Sequence, residues 1–82
     1  YLSMNVFVRT EGYCFTGRLV EIDPMEIVLE DAAWIPDTGS LHRALWNGAL
    51  EEVQPYPNES VISRSSIVDI SPWNHPLPRE RR

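Results

Sequence analysis

The chain is 82 residues long, enough for one domain, and carries a net charge of −5. Its single cysteine, Cys14, excludes an internal disulfide and a cysteine-based metal site, and no apolar run approaches the ~20 residues that cross a bilayer. Residues 1–78 set four arginines against eleven acids, a balance of −7, so most of the domain repels a phosphate backbone and the basic charge collects in the tail at Arg79, Arg81 and Arg82.

A hydrophobic content of 43% argues for a folded chain rather than a disordered one. A domain this short buries only about 60% of its unfolded surface, so a partner or a second copy is a natural source of extra stability. No signal peptide is read at the N-terminus, and a soluble cytoplasmic protein with no membrane contact is expected.

In chain order, Asn5–Arg9 reads as a strand rich in valine and aromatic residues, closed by the turn signal Glu11-Gly12. Residues Tyr13–Ile22 read as a longer second strand, with Gly17 marking a bend or a close backbone approach. Asp23-Pro24 makes a tight turn into a third strand, Glu26–Ile35. Ser40–Gly48 reads as one short helix: Thr38 or Ser40 caps its start, Gly48 follows its end, and Leu41, Ala44 and Leu45 form its apolar face. Residues 50–56 form a weak fourth strand interrupted by Pro55 and Pro57, and Ser60–Ile70 a last strand with Ile62, Ile67 and Ile70 in the core. Beyond Ser71 the tail is proline-rich and extended, anchored by Trp73, and residues 79–82 are expected to be a disordered basic tail following a single domain over 1–78. The expected fold is all-β: a small, strongly bent five-stranded SH3/Sm-like barrel with one short helix inserted between strands three and four.

The first half resembles the first signature of Sm and LSm proteins. The matching residues are Val6, Val8, Gly12, Gly17, Leu19, Asp23 and Leu29, with the family's spacing between the two glycines and the aspartate. The segment Ile62–Ile67 with Val68-Asp69-Ile70 is a weaker match to the second signature. The resemblance covers about half the chain. It implies a ring in which the fourth strand of one subunit pairs with the fifth of the next, placing Val61, Ile62, Ile67 and Val68 at the interface. It also implies an RNA or nucleotide ligand at Asp23, Glu26, Ser63, Arg64, Ser65 and Ser66. Two positions depart from the family: Glu26 stands nearest to the asparagine that holds a uracil base, and Ser63-Arg64 replaces an Arg-Gly pair. The pattern also looks like short bacterial and phage proteins without an established activity.

No catalytic constellation is visible, so no enzyme is expected, and no cofactor. His42 and His75 are far apart and do not make a metal site. Cys14, mid-strand with no histidine beside it, reads as a structural thiol. Adjacent acids at Glu30-Asp31 and Glu51-Glu52 point to opposite faces of a regular strand and do not converge. The aromatic set Phe7, Tyr13, Phe15, Trp34, Trp46, Tyr56 and Trp73 reads mainly as core or protein interface. Two functional expectations follow. One is a homo-oligomeric ring that binds RNA or a nucleotide; the other is a bacterial or phage accessory module that binds a protein partner and no nucleic acid.

Overall fold

A computed structural model describes residues 2–82; Tyr1, the first residue of the expected domain, lies outside them. The described residues form six strands and one short helix: β1 (Asn5–Thr10), β2 (Cys14–Ile22), β3 (Glu26–Asp37), α1 (Leu41–Asn47), β4 (Glu52–Pro55), β5 (Ser60–Ser63) and β6 (Ile67–Pro72). A 3-10 turn, Arg64–Ser66, separates β5 from β6. The sheet is antiparallel with the order β4-β3-β2-β1-β6, and β5 pairs with the first half of β3.

The expected five-stranded barrel is corrected in two respects. The last strand is two strands, because the turn at Arg64-Ser65-Ser66 breaks the run Ser60–Ile70. The sheet is also open. β5 pairs with β3, through Glu26↔Ser63 to Leu29↔Ser60, whereas β6 pairs with β1, and no ladder joins β5 to β6. Pro57 lies between β4 and β5, so two short strands share β3 end to end.

The bend that lets β3 serve both ends comes from Gly17. Opposite it the register slips: Thr16 faces Ala33 but Arg18 faces Glu30, two residues of β2 against three of β3. This is a β-bulge, and Asp31 within it has the left-handed φ of 50°. Gly17 is buried, and a Cβ there would meet the Leu29 Cβ at 2.9 Å and the Glu30 carbonyl oxygen at 3.2 Å. A side chain at residue 17 would push the strands apart where they bend.

Strand alternation then fills two cores. Val6 and Val8 join Leu19, Ile27, Leu29, Ala32 and Ile62, with Phe15, Ile67 and Ile70 packed against them. Phe7, on the opposite face of β1, joins Ala33, Ile35, Ala44, Leu50, Val53 and Trp73. Both faces of β1 are therefore covered, as a strand inside a two-layer fold requires. Helix α1 lies over the second core through Ala44, with Leu41 and Leu45 beside it. Ser40 Oγ accepts from the Arg43 N–H, and Gly48 ends the helix at φ 73°, returning its N–H to the Ala44 carbonyl. Trp73 anchors the tail: it is 4% exposed, stacks on Phe7 at 5.6 Å and donates its Nε1–H to the Pro76 carbonyl at 3.2 Å.

Replacing Gly17 with alanine is expected to destabilise the protein by about 1–3 kcal/mol, the cost of overpacking a filled site. Denaturant unfolding at constant m-value checks this; an unchanged midpoint would show that the strands separate freely at the bend.

Candidate functional site

The two segments singled out in the sequence meet at one end of β3. The β2–β3 turn is built by Asp23, whose Oδ1 accepts from the Met25 N–H at 2.8 Å and the Glu26 N–H at 2.9 Å. Pro24 presets the turn, and Met25 is left 76% exposed at its apex. The β3–β5 ladder carries Ser63 opposite Glu26, which delivers the 3-10 turn to the same place. Two bonds then tie the turns together: the Arg64 N–H donates to the Met25 carbonyl, and Arg64 Nη1 donates to the Asp23 carbonyl 41 residues away, both at 2.9 Å.

Around that junction the hydroxyls are ordered. Ser63 Oγ and Ser65 Oγ share a hydrogen bond at 2.9 Å, and Ser66 Oγ donates to the Ser63 carbonyl at 2.8 Å. Ser63, Arg64 and Ser65 are exposed, while Asp23, Glu26 and Ser66 are half-buried. Beside them, between the β2–β3 end of the sheet and β6, Leu19, Ile22, Ile27, Arg64, Ile67 and Ile70 line a cavity of about 380 Å³. All six sequence-predicted site residues are thus brought together. Met25 and Ile22 join them; both are apolar residues left exposed in or beside a tight turn, which was the available signal.

Charge sharpens the picture. Arg9 pairs with Asp69 across β1 and β6, its Nε 3.0 Å from both carboxylate oxygens. Arg18 pairs with Glu30 and, at 2.9 Å, with Asp31, whose other oxygen takes Arg79 at 3.1 Å. Among the described residues Arg64 has no carboxylate within ion-pair distance, so its second guanidinium nitrogen and its full charge face solvent at the junction. The carboxyls of Asp31 and Asp69 are held below their ordinary value of 3.8, chiefly by hydrogen bonds from Arg79 and Arg18 to Asp31 and from Arg9 to Asp69. Glu30 and Asp31 converge on one guanidinium, contrary to the alternation expected of a strand, because the bulge turns Asp31 out of register.

The other candidates are placed as follows. Val61 and Val68 are 58% and 57% exposed on the two free-edge strands, whereas Ile62 is buried and Ile67 half-buried against the first core. Cys14 is half-buried, and burial pushes its thiol up, away from the reactive thiolate. His75 donates Nε2–H to the Leu45 carbonyl at 2.8 Å, and His42 lies on α1 beside Trp46. Among the described residues no three His, Cys, Asp or Glu side chains are grouped to hold a metal ion, and no helix is long and apolar enough to cross a membrane. On the surface, Tyr13 packs edge-on against Trp34 and Tyr56 stacks on Phe15, while Trp46 is 72% exposed.

The folded-state depression of Asp31 and Asp69 has a pH signature. Stabilisation from a depressed carboxyl is complete above its unfolded value and is lost as pH falls through the folded one. The thermal midpoint is expected to hold from about pH 7 to pH 5 and to fall below about pH 4. A D31N/D69N double variant should show a shallower fall between those limits in a calorimetric series; an identical slope would remove these ion pairs from the account.

No protein-family model matches the sequence, and no curated protein matches it. A solved structure does: that of a Pyrococcus abyssii Sm protein in complex with a uridine heptamer superposes at a TM-score of 0.63, with 29% identity over 87% of this chain and 84% of that one. That likeness extends over most of both chains, and it shows that this chain has an Sm-like fold.

Proposed function

We propose that the protein is a non-enzymatic, homo-oligomeric Sm-like ring that binds short single-stranded RNA, or a nucleotide, at the junction of the 23–26 and 63–66 turns. The observation that carries this is Arg64: a solvent-facing guanidinium without an ion-pair partner among the described residues, pinned to the Asp23 carbonyl and flanked by three serine hydroxyls. A cation fixed by its own backbone contact is positioned for a phosphate, and the hydroxyls and the exposed Met25 offer hydrogen bonds and an apolar face to a base. The Sm protein of similar structure is itself in complex with a uridine heptamer. The sequence departures at Glu26 and Ser63-Arg64 bear on which base is held: a carboxylate at residue 26 accepts from an exocyclic amine better than it serves a uracil carbonyl.

The ring reading rests on the free edges. β5 and β6 each pair on one side only, and Val61 and Val68 stand exposed on them. Joining the β5 edge of one subunit to the β6 edge of the next is a heterologous contact that closes when the rotation permits. Repetition around a ring also gathers one Arg64 per subunit, which offsets the overall negative charge locally. The second reading, a module that docks a protein partner, is favoured by Trp46, exposed on α1 at the other end of β3 from Arg64.

Two measurements separate these readings. Fluorescence anisotropy with short oligo-uridine and oligo-adenine at low salt is expected to show binding that weakens as salt rises, and Arg64→Ala is expected to lower affinity at least tenfold, about 1.4 kcal/mol. No binding of either oligomer at low salt removes the RNA reading. Light scattering is expected to give a mass several times 9.4 kDa, and Val61→Asp with Val68→Asp to reduce it to the monomer. A wild-type monomer at high concentration removes the ring.

A further inference from the structure

The outer edge of β4 is occupied by the backbone of Arg82. Val53 and Arg82 exchange both backbone bonds, Val53 N–H to the Arg82 carbonyl at 3.2 Å and Arg82 N–H to the Val53 carbonyl at 3.0 Å. That reciprocal pair is one rung of an antiparallel ladder. Two side chains add to it. Arg82 Nη1 donates to the Leu50 carbonyl at 3.2 Å, and Arg79 Nη1 donates to Asp31 Oδ1 at 3.1 Å. Residues 79–82 thus make contact at three points: a carboxylate on the β3 bulge, a loop carbonyl and a strand edge.

The seat takes two arginines three residues apart, Arg79 and Arg82, with the chain bent at Glu80 between them. Asp31 is turned outward by its left-handed backbone and already shares its other oxygen with Arg18, so its carboxyl stays charged and faces the tail. Pro76 and Pro78 keep the approach out of helix and ladder, since they have no N–H to donate to either. The tail is not packed down on the body, however. A cavity of about 340 Å³ lies beneath it, floored by Leu50, Trp73 and Leu77. Residues 79–82 are held by polar contacts that water can replace, whereas the anchor at Trp73 is held by the core.

We propose that Asp31, Leu50 and the β4 edge at Val53 form a docking site for an arginine-bearing peptide with Arg-x-x-Arg spacing, and that residues 79–82 are its resident occupant. Charge complementarity supports the choice of ligand, because the body of the chain over residues 1–78 carries −7 while the segment that fills the site is basic. Strand addition at the edge supplies affinity and the two arginines supply selectivity. A peptide in trans competes with a tethered copy of itself, so the site opens only when the tail lets go. This site is on a different edge from the β5 and β6 edges of the proposed ring and does not depend on that reading.

The test uses the full chain and a synthetic peptide of residues 76–82. In the wild type, the Val53 amide is expected to exchange at least tenfold more slowly than that of exposed Asn58; equal rates overturn the proposal whatever the variants do. Arg79→Glu together with Arg82→Pro removes the Asp31 contact and the Arg82 N–H, and is expected to accelerate Val53 exchange at least tenfold. The labelled peptide is expected to bind that variant at least tenfold more tightly than it binds the wild type and to restore Val53 protection, and a peptide with both arginines changed to alanine to bind neither. Equal affinity for wild type and variant, or no binding to the variant, overturns it.

Discussion

Where β2 crosses β3 at Gly17, the two backbones come so close that no side chain fits between them. The rest of the molecule follows from that contact. It allows the sheet to bend, and the bend lets twelve residues of β3 pair with β5 at one end and β4 at the other. Because the strand turns, its side chains feed two cores rather than one, and the helix finds an apolar layer to cover. The same contact displaces Asp31 into a left-handed conformation, which places a carboxylate where a regular strand would not.

Much of this was legible. A glycine inside a valine- and aromatic-rich strand, Asp-Pro in a turn, and Ser40 and Gly48 around a short apolar stripe each have a local physical meaning, and β1, β2, β3 and α1 lie where those signals put them. The miss at Ser60–Ile70 has a local cause as well. Serine and arginine at 64–66 carry no glycine or proline, so nothing in that run announces a turn; it forms because Arg64 reaches the Asp23 and Met25 carbonyls, a contact between residues about forty apart. The openness of the sheet has the same origin, since the turn leads β6 to β1 instead of back along β5.

The site residues were legible only through the family resemblance, and the reason is geometric. Asp23, Glu26, Ser63, Arg64, Ser65 and Ser66 are ordinary polar residues with no motif among them. What makes them a group is the β3–β5 ladder, which no local pattern encodes. The alternation rule also failed in one instructive place. It set Glu30 and Asp31 on opposite faces, and the bulge brought both to Arg18. Nor did the tail's composition reveal that Arg79 and Arg82 had partners on the body, because those partners are one displaced carboxylate and two backbone positions.

Electrostatics connects these features to function. In a chain of net charge −5, Arg9, Arg18 and Arg79 pair with carboxylates; Arg64, like Arg43, Arg81 and Arg82, has no such pair among the described residues, and it faces solvent at the junction of the two turns. Under the proposed function this junction is one binding surface rather than two neighbouring loops. The most direct test is an amide chemical-shift titration with a short single-stranded RNA. The account predicts concerted shifts at Met25, Glu26, Ser63 and Arg64 with a single midpoint, and little change on α1. Shifts confined to α1, or none at both turns under saturating RNA, would contradict it.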